Sequence, residues 1–210
     1  MSETKSLRAI IVDDHPLARM AFKNLLESEG ISVIGEAANG AEALLQVTQQ
    51  QPDVVIVDVD IPIISGIEVV EKLRKQQFHQ IIIVVSAKNE LFYGKHSADA
   101  GANAFISKNE DMTNIIAAVH AAQNGYSYFS FRLNGFIGSL SSEQEMLLSL
   151  SSQESNVMRF LLSGENNMQI AAAMFISNKT VSTYKSRLME KLCCSSLADL
   201  FAFANRNELG

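Results

Sequence analysis

The chain has 210 residues, is 47% apolar and carries a formal net charge of −6, enough for one large or two small domains with a real core. No apolar run approaches the length of a membrane span, and the polar start, residues 1–6, contains no signal-peptide core. The only two cysteines, Cys193 and Cys194, are adjacent, a spacing that serves neither a disulfide framework nor a metal site and fits a reducing cytoplasm.

Charge is unevenly shared. Residues 1–125 carry ten Lys or Arg against sixteen Asp or Glu, and residues 150–210 carry six against five. Within 178–191 Lys179, Lys185, Arg187 and Lys191 stand against Glu190 alone. Two domains with different partners are expected. The basic excess is small, and a solvated helix face explains it as well as a nucleic-acid contact does.

In chain order, continuous apolar runs occur at 10–12, 31–34, 54–57, 81–85 and 104–106. Such runs suit parallel strands buried on both faces. Helical patterns lie between them. The first opens at Pro16, with Leu17, Ala21 and Leu25 on one face. Others cover 41–49, 67–76, 91–100 and 113–124. Alternation of this kind predicts an α/β domain with an open, doubly wound, five-stranded parallel sheet.

In such sheets ligands gather beyond the carboxyl ends of the strands. There the sequence puts Asp13-Asp14, Asp58, Ser86 and Lys108. If the first and third strands are neighbours, three carboxylates share a crevice and need a cation. Oxygen ligands of this kind suit Mg²⁺, which accepts phosphate oxygens. Asp58 could then receive a phosphoryl group in line, with the Lys108 ammonium and the Ser86 hydroxyl on its oxygens. The stretch "VVIVDVDIPIISG", residues 54–66, leaves three readings. It could be a DxD phosphatase with Asp58 as nucleophile and Asp60 as acid. It could hold phosphate on Asp58 as a signal. It could be a strand end whose acids face water.

Residues 126–146 break the alternation and read as a linker. Tyr126, Tyr128, Phe129, Phe131 and Phe136 are too many aromatics for a flexible one, so packing against one domain or between two is expected. A small-molecule site lined by these rings is a further reading, with Arg132 the only arginine there.

From 147 to 207 the pattern is wholly helical, a small all-α domain. A Ser cap precedes the helix that Gly164 stops, Asn167 is the expected cap of a short helix, and Ser177 caps the next. Two short helices joined by a tight turn predict a helix-turn-helix. In the last of them Val181, Tyr184, Leu188 and Leu192 share a face and should be buried. Lys179, Ser182, Thr183 and Ser186 lie opposite, Thr180 sits in the first turn, and Lys185 and Arg187 flank. An apolar back, small hydrogen-bonding groups in front and cations at the sides suit a helix in a DNA groove, with Lys179, Thr180, Ser182, Thr183, Lys185, Ser186 and Arg187 as its expected DNA contacts. A protein-contact module fits the same periodicity.

The motifs "IIVDDHP", "VDVDIP", "VVSAK" and "GANAFISK" resemble the receiver domain of bacterial two-component response regulators, over residues 7–125. The resemblance implies the flavodoxin-like fold and Asp58 as phosphoacceptor. It implies Mg²⁺ on Asp13, Asp14, Asp58 and the backbone carbonyl of Asp60. Ser86 and Lys108 would serve the phosphoryl group, with Ser86 and Phe105 as the switch pair. Residues 147–207, "LSSQESNVMRFLLSGENNMQIAAAMFISNKTVSTYKSRLMEKL" above all, are similar to DNA-binding domains of the LuxR/FixJ/NarL type, and the whole chain looks closest to the EvgA/BvgA group. That implies a cytoplasmic, homodimeric regulator of transcription on double-stranded promoter DNA. Its phosphate donor would be the histidine phosphotransfer domain of a hybrid sensor histidine kinase, and RNA polymerase is a candidate further partner. No enzymatic turnover is implied beyond the chain's own phosphotransfer. One departure stands out. Where many receivers have small, flexible residues after Pro62, this chain has Ile63 and Ile64.

Overall fold

A computed structural model describes residues 6–129 and 141–209. The chain divides into two compact units, before and after the junction of Phe131 and Arg132.

The first unit alternates strand and helix. Its strands are β1 (Arg8–Val12), β2 (Ser32–Ala37), β3 (Val54–Asp58), β4 (Ile81–Ser86), β5 (Ala104–Ser107) and β6 (Tyr128–Phe129). Its helices are α1 (Pro16–Ser28), α2 (Gly40–Gln50), α3 (Gly66–Lys75), α4 (Glu90–Asp99) and α5 (Asn114–Gln123). The sheet order is β2-β1-β3-β4-β5-β6, with every pair parallel. Winding reverses between β2 and β3, which opens a crevice where β1 meets β3. The register aligns the strand ends: Val12 pairs with Val57, Asp58 with Val85 and Ser86 with Ser107.

Both faces of the central strands are buried, so their apolar runs are unbroken. Ile11, Val54, Ile56, Ile83, Val85 and Ile106 pack with Phe22 and Leu26 of α1 and Ile115 and Val119 of α5. Ile10, Val55, Ile82, Val84 and Phe105, the alternate residues, are equally buried and by the period of two face the other side. Each such aliphatic side chain contributes about 1.5–3 kcal/mol on burial. Helix α3 shows how local sequence sets an element. Ser65 caps it in a capping box with Glu68, Val69, Val70 and Leu73 form its buried stripe, and Lys72, Arg74 and Lys75 meet the negative end of its dipole.

Strand β6 makes six strands rather than the expected five. Two residues carry no readable periodicity, and what defines β6 is its pairing with Ala104 and Phe105. The aromatics of this stretch divide: Tyr128 packs against the core, while Tyr126 is 71% exposed. Phe131, Arg132 and Phe136, and with them the ring-lined small-molecule site, lie outside the described residues.

The second unit holds α6 (Ser142–Leu148), α7 (Ser152–Leu162), α8 (Asn167–Met174), α9 (Asn178–Lys191) and α10 (Leu197–Arg206). Leu147, Val157, Leu161, Ile170, Val181, Leu188 and Leu200 are buried at its centre. Helix α6 starts inside the stretch read as linker. The cap of α8 is Asn166 rather than Asn167, because Asn166 accepts the Met168 and Gln169 N–H groups and Gln169 reciprocates. Gly164, at φ +85°, follows the end of α7 as expected. Among the described residues no helix is long and apolar enough to cross a membrane.

Candidate functional site: an acidic crevice and an exposed helix

Beyond β1, the Asp13 N–H donates to the Ala37 carbonyl at 3.1 Å, so the chain stays in sheet register one residue past the strand. The Asp13 carboxylate is buried, and it accepts the His15 N–H at 2.9 Å. Asp58 ends β3 and is buried beside it. Lys108 follows β5, and its N–H donates to the Ser86 carbonyl at 2.7 Å, tying the ends of β4 and β5 together. The Lys108 ammonium then reaches 2.7 Å from Asp13 Oδ2 and 2.9 Å from Asp58 Oδ2. Ser86 is buried, and its hydroxyl accepts the Lys88 N–H at 3.1 Å. Four strand ends thus bring Asp13, Asp58, Ser86 and Lys108 to one crevice.

The electrostatics follow from burial. Desolvation raises the pKa of Asp58, the Lys108 ammonium and the Asp60 N–H pull it part of the way back, and the charge of Asp13 adds to the rise. For Lys108, burial disfavours the ammonium, but its hydrogen bonds to Asp13 and Asp58 outweigh that and raise its pKa. Ligand atoms of Asp13, Asp14, His15 and Asp58 all lie within 4.8 Å of one another. Three carboxylates against one ammonium leave a negative, oxygen-lined hollow that suits a hard divalent cation.

Two neighbours of the crevice, His15 and Lys88, escaped sequence reasoning. His15 Nδ1 sits 2.7 Å from Asp14 Oδ1. The Asp60 side chain turns away from the cluster to Lys88 Nζ at 2.7 Å. Gly66 is required where α3 starts against the strand end, since a Cβ there would lie 2.1 Å from the Asp58 carbonyl oxygen. Ile63 is the centre of a γ-turn closed by the Ile64 N–H on the Pro62 carbonyl at 2.8 Å, with φ +72°. A β-branched residue in that region is strained, by about 1–2 kcal/mol. Phe105 is fully buried.

In the second unit Ser177 caps α9, accepting the Thr180 N–H at 3.1 Å, and the two hydroxyls lie 2.8 Å apart. Val181, Leu188 and Leu192 are buried. Tyr184 is half-buried rather than buried, since its length carries the ring to the rim of the core. Lys179, Ser182, Thr183, Ser186 and Arg187 are exposed, while Thr180 and Lys185 are half-buried. The Thr183 hydroxyl donates to the Lys179 carbonyl at 3.0 Å and that of Ser182 to Asn178 at 3.1 Å. The Ser182 oxygen also accepts from the Asn167 side-chain amide at 3.3 Å, so the exposed Thr183 hydroxyl, its proton engaged, is the acceptor better suited to an amino group on a base. Helix α9 is fastened to α7 by Lys191, 2.7 Å from the buried Glu154 carboxylate and 2.8 Å from the Ser149 carbonyl.

Comparison with known proteins agrees with this architecture. Residues 9–120 match the family "Response regulator receiver domain", and residues 148–204 match "Bacterial regulatory proteins, luxR family". The chain is 60% identical to the DNA-binding transcriptional activator EvgA of Escherichia coli (strain K12) over 204 residues, 97% of this chain and 100% of the relative. It is 37% identical to the virulence factors putative positive transcription regulator BvgA of Bordetella pertussis, covering 96% of this chain and 98% of that protein. Among solved structures it resembles RcsB from Salmonella enterica serovar Typhimurium bound to promoter P1flhDC in the presence of the phosphomimetic BeF₃⁻. The TM-score is 0.82 at 25% identity, over 96% of this chain and 100% of that one.

A parallel α/β receiver followed by a helical output unit defines a response regulator with a DNA-binding domain. The chain belongs to the response regulators whose output domain is of the luxR family.

Proposed function

We propose that the chain is a DNA-binding transcriptional response regulator of a phosphorelay, in which phosphorylation of Asp58 promotes dimerisation and promoter binding. The observation that carries the reading is the crevice, where Lys108 bridges Asp13 and Asp58 beside the buried Ser86. Asp13, Asp14, Asp58 and the carbonyl of Asp60 would hold Mg²⁺. When bound, the ion supplies neutralisation of the charge on the transferring phosphoryl group. The donor is a phosphohistidine on the histidine phosphotransfer domain of a hybrid sensor kinase. Its N–P bond breaks as Asp58 Oδ forms the new O–P bond, and the electron pair returns to the imidazole nitrogen. Lys108 exchanges the carboxylate for a phosphoryl oxygen, and Ser86 turns its hydroxyl to another. Phe105, packed inward, follows Ser86 and biases an existing equilibrium towards the dimer.

Helix α9 enters the major groove with Ser182, Thr183 and Ser186 towards base edges and Lys179, Lys185 and Arg187 towards phosphates. Thr180, half-buried and engaged with Ser177, shapes the helix start. The weak positive charge of one output unit makes two linked copies effective through avidity. The protein acts in the cytoplasm and catalyses only its own phosphotransfer.

The test measures binding to duplexes that the wild-type chain retains from fragmented genomic DNA, with and without acetyl phosphate and Mg²⁺. Affinity should rise at least about tenfold on phosphorylation, and Asp58→Ala should not respond. Absence of DNA retention in either state would favour an output unit that works by protein contact.

A further inference from the structure

We infer that Ile63 is an apolar anchor for the protein that phosphorylates Asp58, a phosphohistidine-bearing domain whose histidine is ringed by aliphatic side chains. The inference rests on the reading of Asp58 as acceptor.

Ile63 is 74% exposed, so its side chain does no work in the core. Its backbone nevertheless holds φ +72° in a γ-turn that glycine would adopt freely. The loop is braced in that shape. The Pro62 carbonyl accepts the Ile64 N–H at 2.8 Å and the Gly40 N–H at 3.2 Å. A Cβ on Gly40 would lie 2.2 Å from the Ile64 carbonyl oxygen, so the two loops meet backbone to backbone. A strained, braced turn therefore presents a large apolar side chain to solvent. Strain of this kind marks a functional position when nothing in the fold requires it.

Its place says what it meets. Asp58 lies at the bottom of the crevice, 3% exposed, and a phosphoryl group must come in over the loops that follow β1 and β3. Ile63 stands on the loop after β3. Leu17, 76% exposed, stands in the first turn of α1, directly after the loop from the neighbouring β1. Met20, also exposed, shares its helix face at three residues' spacing. A protein donor that brings its phosphorus within bonding distance of Asp58 must lay its surface on this rim. A small donor such as acetyl phosphate enters without touching it. The two classes of donor should therefore separate on substitution of Ile63.

The test compares the full-length wild type with Ile63→Gly, Ile63→Leu and Asp58→Ala. Each is phosphorylated by acetyl phosphate with Mg²⁺. Each is also phosphorylated by the isolated histidine phosphotransfer domain that serves the wild-type chain, charged with phosphoramidate and freed of it. Ile63→Gly should fold at least as well as wild type, because glycine relieves the turn. Its rate with acetyl phosphate should stay within about twofold, and its second-order rate with the protein donor should fall about tenfold, through weaker binding rather than a slower saturating rate. Ile63→Leu should restore the protein-donor rate. An unchanged rate of Ile63→Gly with the protein donor would overturn the inference. So would an equal loss with both donors, which would make Ile63 a shaper of the crevice. If acetyl phosphate labelled wild type and Asp58→Ala alike, the acceptor reading would fall, and the inference with it.

Discussion

The Lys108 ammonium lies 2.9 Å from Oδ2 of Asp58. It lies 2.7 Å from Asp13 as well, so one cation spans two buried carboxylates across the β1–β3 crevice. In the resting state this bridge limits the repulsion between two buried carboxylates. If Asp58 accepts phosphate as proposed, the same ammonium would be available to the new phosphoryl oxygens. Lys108→Met removes both effects and is expected to slow acetyl phosphate labelling by about 10²-fold. Asp58 should become harder to ionise, because Lys108 is the largest influence holding its raised pKa down. Carbon-13 titration of the Asp58 carboxyl in wild type and variant checks the second point, and labelling rates check the first.

Gly66→Ala tests the local geometry. The added methyl would come within 2.1 Å of the Asp58 carbonyl oxygen, and backbone cannot yield as a side-chain tip can. A loss of about 1–3 kcal/mol is expected from the overpacking, together with slower phosphorylation, since the residue displaced is the proposed acceptor. Thermal unfolding and labelling on the same sample should move together. A destabilised variant with normal labelling would place the strain elsewhere.

Glu154 gives the helical unit a pH dependence of known sign. Burial raises its pKa, but hydrogen bonds from Lys191 and Ser151 outweigh burial and hold the carboxyl below its ordinary 4.5. A depressed folded pKa adds stability that is fully present above the unfolded value and disappears as pH falls through the folded one. Calorimetry of the intact chain should show the helical unit losing stability below about pH 4.5. Glu154→Gln should flatten that loss and cost about 1.5 kcal/mol at pH 7. The low end of the range applies because Lys191 is partly in solvent.

On α9 the two kinds of contact should separate. Lys179→Ala is expected to weaken all duplexes alike and to lower the salt slope by about 1. Thr183→Ala removes an exposed acceptor and should relax preference at one base pair by about 1–3 kcal/mol while non-specific binding stays level. Titrations at several salt concentrations, against selected and scrambled duplexes, distinguish them.

The sequence made the crevice legible because each of its groups follows a recognisable strand. Apolar runs located the strand ends, and parallel topology carried Asp13, Asp58, Ser86 and Lys108 to one edge. What periodicity does not encode is long-range pairing. Strand β6 exists through its bonds to β5, and the Lys88–Asp60 and Lys191–Glu154 pairs join residues far apart in the chain. His15 was hidden differently, as an ordinary polar residue before a helix whose ring folds back on Asp14. The cap of α8 was misplaced by one residue because Asn166 and Asn167 are chemically identical, and only the reciprocal bond with Gln169 tells them apart. Ile63 was visible as a departure from small residues, but its positive φ was not.

The central claim is that Asp58 carries the signal. It is tested most directly by intact mass after incubation with acetyl phosphate, with and without Mg²⁺, beside Asp58→Ala. The account predicts the gain of one phosphoryl group, seen only when both Mg²⁺ and Asp58 are present. A gain that survives Asp58→Ala, or that ignores Mg²⁺, would contradict it.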